Sequence, residues 1–302
     1  MTSPTPPLPR STILTPATAT LVVIAACVSF GMVPLFAKLL LESGMSPAAI
    51  GFFRYAFSGI VMLPFLPLAE AKRREAMRLI MAGVLMGLGW ISYLNALETV
   101  SVAAAGLVYM TYPVFALLLA WLLVRQIPSG RAWGGCALVL VAALIVFDGD
   151  LTGTASWSLL LSLPAPALFA LIIVVLTCLT PSLSSLEKLA CGMVGSMIGL
   201  APVVAMTDPA AFLPRDGNVW LTILAMGFAT ALIPQLLYTV AAPKIGPGRT
   251  AAAGAVELPT MIALGWIVFG EVVGPREIIA SILVLAAILL VPPITGPRTV
   301  PA

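Results

Sequence analysis

Long apolar stretches, separated by short polar connections, run the length of this chain. They cover residues 19–41, 47–68, 79–97, 102–124, 132–148, 158–178, 189–206, 219–241, 250–270 and 277–293. Each is close to the roughly 20 mostly apolar residues that cross a hydrocarbon core of about 30 Å. The pattern predicts an all-α integral membrane protein of ten transmembrane helices. The short connections predict one bundle without a soluble domain. Residues 1–18 are Pro-rich and expected as a disordered tail, and 294–302 form a short C-terminal tail. The start does not resemble a secretion signal, because the apolar run that follows is too long and lacks a clear cleavage site.

The apolar segments also repeat. Thr111 to Gln126 reads TYPVFALLLAWLLVRQ, and Glu257 to Glu271 reads ELPTMIALGWIVFGE. Tyr93 and Tyr238, Trp121 and Trp266, and Gln126 and Glu271 all stand 145 positions apart, and Pro113 matches Pro259 with one residue of slip. Two five-helix halves follow, 19–148 and 158–293, joined by an external linker at 149–157. Five crossings are odd, so the second half enters from the opposite face and the repeat is inverted. Inverted halves can exchange conformations at comparable energy, exposing a midplane site alternately to each side, as secondary transporters do. The alternative is a duplication that merely yields a stable bundle.

Composition sharpens this picture. The 302 residues are 61% hydrophobic and 9% charged, with a mean hydropathy of +1.11. Soluble chains average about 45–50% apolar and about 25% charged residues. The net charge of +3 comes without a basic stripe, so no nucleic-acid partner is expected. There is no His, which removes the commonest metal ligand and general base. Cys27, Cys136, Cys178 and Cys191 lie in apolar runs without metal-ligand spacing. No cofactor is expected.

Lys and Arg set the orientation. With the N-terminus inside, the cytoplasmic segments collect Arg10, Lys72, Arg73, Arg74, Arg78, Arg125, Arg131, Lys188, Lys244, Arg249 and Arg298, while the outer loops hold Arg215 and Arg276. That bias predicts cytoplasmic termini in the inner (plasma) membrane. Trp121, Trp133, Trp157, Trp220 and Trp266 fall near helix ends, as an interfacial belt would. No Walker motif is present, and the carboxylates are scattered over loops apart from Glu257, so neither an ATP-driven pump nor an enzyme is expected.

The stretch from Pro113 through Ala120-Trp121-Leu122-Leu123, repeated as GWIVFGE (265–271), resembles the EamA-type members of the drug/metabolite transporter superfamily. GFFRYAFSG (51–59) is similar to that family's Arg-aromatic stretch in its second helix. The resemblance covers essentially the whole chain. It implies export of small metabolites by alternating access around a central cavity, with amino acids, nucleosides, sugar phosphates and other solutes among the family's cargoes. Two positions depart from the pattern. Many relatives have Glu immediately before Pro where this chain has Glu257-Leu258-Pro259, and Gln126 stands in place of the first repeat's usual Glu.

Candidate site residues follow from the cost of polar groups in lipid. An ionisable side chain at a helix centre costs about 2.5–3.5 kcal/mol on insertion scales and marks function by default. Glu257 and Arg54 each lie seven residues into a span, from opposite faces, which puts about 10 Å of depth between them. Glu257 would take a substrate amine or a proton, and Arg54 a substrate carboxylate; a structural ion pair or hydrogen-bonded acid is the alternative. Trp90, Tyr55, Tyr93, Tyr109, Tyr112 and Tyr238 lie deep in spans, where a buried hydroxyl or indole N–H needs a partner. Ser29, Asn95 and Gln235 add neutral polar groups, for which plain interhelical hydrogen bonding is the competing role. Pro34, Pro113, Pro164, Pro166, Pro234 and Pro259 interrupt helix hydrogen bonding and are candidate hinges. The set predicts an aromatic, charge-poor cavity. It favours export of aromatic or amphiphilic amino acids, with another metabolite class, a membrane scaffold or an enzyme as alternatives. The expected partners are a small-molecule solute and the lipid bilayer, in a monomer or a dimer.

Overall fold

The computed structural model describes residues 14–99, 102–146, 154–214, 216–270 and 273–291. The expected tails (1–13 and 292–302), most of the linker (147–153), Arg215 and Glu271 lie outside the described residues. Among the described residues the chain is helical, with no strand. The helices are α1 (Pro16–Phe30), α2 (Val33–Glu42), α3 (Pro47–Met62), α4 (Arg73–Leu97), α5 (Val102–Tyr109), α6 (Tyr112–Val124), α7 (Gly130–Val146) and α8 (Thr154–Ser162). There follow α9 (Pro164–Cys178), α10 (Ser185–Ala205), α11 (Pro209–Phe212), α12 (Gly217–Gly227), α13 (Ile233–Gly254), α14 (Glu257–Phe269) and α15 (Pro275–Leu290).

Among the described residues, six helical stretches are long and apolar enough to cross a membrane: 16–42, 47–65, 70–96, 160–178, 185–205 and 217–268. The last is 52 residues, more than twice the roughly 20 that one crossing takes. Shorter apolar helices cover 112–124, 130–142 and 278–290.

Several expected spans are broken rather than continuous. The 19–41 segment breaks at Gly31-Met32, 102–124 at Met110-Thr111, 158–178 at Leu163, and 250–270 at Ala255-Val256. The 219–241 segment carries a π-helical turn at Phe228–Leu232. Helix α4 starts earlier than expected, at Arg73, and α3 ends earlier, at Met62, where Leu63–Phe65 tighten into a 3-10 turn around Pro64. Proline explains most of these edges. Pro34, Pro113 and Pro164 each occupy the first or second position of the helix after a break, where the missing N–H has no intrahelical partner to lose. Pro234 follows the π-helical turn without a break, and its missing N–H leaves the Thr230 carbonyl for Arg54. Pro166 and Pro259 sit in the same first turns of α9 and α14.

Helix packing is organised by small residues. A Cβ on Gly83 would lie 2.6 Å from the Gly192 carbonyl oxygen, and one on Gly87 2.5 Å from that of Ser196. Gly195 and Gly199 press reciprocally on the carbonyls of Ile80 and Val84. Helices α4 and α10 thus meet backbone to backbone, the close approach that drives association where lipid offers no hydrophobic contrast. The same pair is joined at one end by polar contacts. Lys72 Nζ sits 2.8 Å from Glu187 Oε1, Glu187 completes a capping box with Ser184, and Glu75 Oε2 accepts the Ser182 N–H at 2.9 Å. The five Trp expected at helix ends are all exposed, whereas Trp90 is buried.

Candidate functional site

Helix α4 carries a second stripe of residues beside the glycine seam. Met86, Trp90 and Tyr93 follow at spacings of four and three, so they share one stripe of the helix. They line a cavity together with Phe30, Val33, Pro34, Arg54, Tyr109, Phe169, Gln235, Glu257 and Met261. Helices α1 to α5, α9, α13 and α14 therefore all contribute. The open space measures about 10 Å³, near the volume that a single water needs. Five of its lining residues are aromatic: Phe30, Trp90, Tyr93, Tyr109 and Phe169. Trp90 lies edge-on to Tyr93 at 5.2 Å between centroids, Tyr93 is 5.4 Å from Tyr109, and Tyr109 stacks on Phe169 at 5.5 Å.

Two buried ionisable side chains share this wall. Arg54, 4% exposed, donates from Nη2 to the Thr230 carbonyl at 2.8 Å and from Nη1 to the Tyr55 hydroxyl at 3.3 Å. Its guanidinium carbon lies 4.4 Å from the centroid of Trp90, within cation–π range. The Thr230 carbonyl belongs to the π-helical turn, a feature that recurs at functional sites. Glu257, 2% exposed, is the first residue of α14, so its carboxylate stands at the positive end of that helix. The sequence expectation of a mid-helix acid is corrected here. Without a Pro259 N–H to bond Ala255, the chain tightens and restarts its helix at Glu257.

Among the described residues, Arg54 and Glu257 form no salt bridge with each other. Instead, Arg54 Nε, Tyr93 OH and Glu257 Oε1 are buried with no hydrogen-bond partner. Buried polar groups are nearly always paired, and an unpaired one costs about 1–3 kcal/mol. Three on one cavity wall are donors and an acceptor left for something else.

The remaining expected site residues divide. Tyr55 backs Arg54. Tyr112 stands behind Tyr109, but its hydroxyl donates to the Ala251 carbonyl at 3.1 Å, and a Cβ on Gly254 would collide with it. Tyr238 packs on Phe30 at 5.8 Å. Ser29 and Asn95 are not brought to the cavity. The Ser29 hydroxyl donates to the Ala25 carbonyl of its own helix, and Phe30 faces the cavity instead. Asn95 follows Tyr93 by two residues, about 200° around the helix, and is exposed in a separate cleft with Leu88, Ser92 and Ser158. Sequence reasoning missed Phe30, Phe169, Met86, Met261 and the Thr230 carbonyl. The Met86-Trp90-Tyr93 spacing was the available signal for the first of the methionines; nothing in the sequence distinguishes Phe30 or Phe169 from packing residues.

The EamA-like transporter family profile matches residues 17–148 and 156–291. The chain belongs to that family. It is also similar to a protein named riboflavin transporter from Rhizobium johnstonii (strain DSM 114642 / LMG 32736 / 3841), 25% identical over 257 residues, which is 84% of this chain and 83% of that protein. A crystal structure with 15% sequence identity superposes with a TM-score of 0.69 over 91% of this chain and 96% of its own, a likeness of fold alone. The EamA-like chain is thus a membrane transporter of small-molecule solutes.

Proposed function

We propose that this EamA-like transporter is an exporter in the inner membrane that carries a small aromatic metabolite through the cavity by alternating access. The observation that carries the proposal is the set of unpartnered polar atoms of Arg54, Tyr93 and Glu257 inside an aromatic wall. A solute that satisfies them needs a planar ring, an acceptor or anion toward Arg54, and a donor or cation toward Glu257. Aromatic amino acids meet that description, with the carboxylate at Arg54 and the amine at Glu257.

The ten-span, inverted five-plus-five architecture with cytoplasmic termini belongs to the same proposal. Several local features support it at the 145-residue offset. Tyr112 and Glu257 each open a helix after a break. Arg125 (φ 54) and Gly270 (φ 66) each close that helix in the left-handed region. Helices α3 and α10 pack together, as do α7 and α15, which are the pairs that a two-fold relation between halves would match. Alternating access in this scheme uses the breaks before Pro34, Pro113, Pro164, Pro166 and Pro259, and the π-helical turn before Pro234, as hinges.

A second substrate reading rests on the relative named as a riboflavin transporter. A flavin also presents a planar ring system edged with donors and acceptors, and would use the same wall without needing a charge pair.

The test is flux from proteoliposomes loaded with labelled aromatic amino acids or riboflavin, with and without a pH gradient. Release of either above protein-free liposomes is expected, and Glu257→Gln should remove the gradient response while exchange persists. No flux of any member of the panel would overturn the substrate proposal, and an unchanged gradient response in the variant would remove the proton from Glu257.

A further inference from the structure

A second cavity lies at one end of the bundle, where α6 and α15 end, α7 begins and α13 kinks. It measures about 180 Å³, against about 10 Å³ for the first cavity, so it is far roomier than a single water needs. Leu117, Ala120, Ala132 and Val291 give it apolar walls, and Gln126, Ser129 and Arg249 a polar one. Two backbone irregularities open the space. Arg125 ends α6 in the left-handed region, and Gly246 (φ 79) bends α13 just before Pro247. The second requires glycine, since a side chain is strained there.

The charge around this cavity has one sign. Arg249 gives Nε to Thr20 Oγ1 at 3.0 Å and Nη1 to the Val291 carbonyl at 2.6 Å. Its Nη2 donates to no described residue. Arg125, Arg131 and Lys244 are exposed on the elements that form the walls. No Asp or Glu occurs between Glu98 and Asp148 or between Asp216 and Glu257, so α6, α7 and α13 carry no carboxylate to offset them.

We propose that this cavity binds the headgroup of an anionic phospholipid from the leaflet at that end. Basic pockets between helix ends on the Lys/Arg-rich side are suited to such headgroups, each cation near the surface contributing about 1 kcal/mol. The apolar wall runs out to the exposed Ile127, which can take the glycerol and upper acyl chain; a free inorganic anion would leave it unused. The site is separate from the solute cavity and does not depend on what the protein transports.

Native mass spectrometry of the detergent-purified full chain, titrated with phosphatidylglycerol or phosphatidylcholine of the same acyl chains, tests it. Phosphatidylglycerol should bind at least about 25-fold more tightly, the contribution of two cations at about fivefold each. Ala132→Leu, which fills the cavity without touching charge, should lower that affinity about fivefold or more. The exposed pair Arg125→Gln with Arg131→Gln should lower it by about fivefold per cation without loss of fold. Equal binding of the two lipids, or undiminished phosphatidylglycerol binding in the double Gln variant, would overturn the proposal. So would inorganic phosphate that raises the melting temperature as much as the lipid does.

Discussion

Helix α4 presents two faces that behave in opposite ways. Gly83 and Gly87 meet α10 so closely that no side chain fits, and the helices touch through backbone atoms. Met86, Trp90 and Tyr93, interleaved with those glycines, carry bulk and polar atoms into a cavity where three hydrogen-bonding groups go unanswered. The first face gives up side chains to gain contact. The second keeps groups that would be better paired if stability were their only role. The difference separates scaffold from site on a single helix, and it says which changes should unfold the protein and which should only disable it.

Substitutions at the seam should have the largest effect. Gly195→Leu forces a side chain onto the Ile80 carbonyl and the Gly83 backbone. Overpacking of this kind costs about 1–3 kcal/mol, and more where the obstacle is backbone. A large drop in melting temperature in detergent is expected, with little folded protein recovered; a normal melt would mean that the seam yields. Arg54→Gln comes next. It removes the donor to Thr230 and leaves that carbonyl buried, at about 1–3 kcal/mol. Folded protein should survive, with solute flux down about tenfold or more. A stability loss with unchanged flux per folded molecule would make Arg54 a strut for the π-turn only.

Tyr93→Phe sharpens the comparison further. Its hydroxyl has no partner, so stability should hold or rise by under about 1 kcal/mol. Apparent affinity for the solute should fall severalfold, measured as the KM of flux. A clear stability loss would show that the hydroxyl is paired. Asn95→Ala should do least, within about 0.5 kcal/mol and without effect on flux, because the residue is exposed on the far side of α4. An altered KM there would extend the solute path into that cleft.

Much of this was legible in the sequence, unevenly. The deep polar residues stand out in the sequence as unusual, because the cost of placing Arg54 and Glu257 in a bilayer is a property of each segment. Tyr93, Tyr109, Trp90 and Gln235 were grouped with them on the same ground, and they line one cavity. Asn95 and Ser29 were grouped with them too, and they do not. The error has one source. Composition says that a polar group is costly in lipid, but not which way it faces.

The sequence by itself determined an all-helical membrane chain, the prolines that restart its helices, the glycines available for close packing and the 145-residue echo between its halves. Only the tertiary structure decided that α4 gives its glycines to α10, that Phe30 and Phe169 complete the aromatic wall, and that two ionisable groups distant in sequence meet one cavity without pairing. In water, an apolar stripe tells which face of a helix is buried. In a bilayer lipid is as apolar as the bundle interior, so the hydrophobic pattern fixes each helix and leaves its rotation to packing.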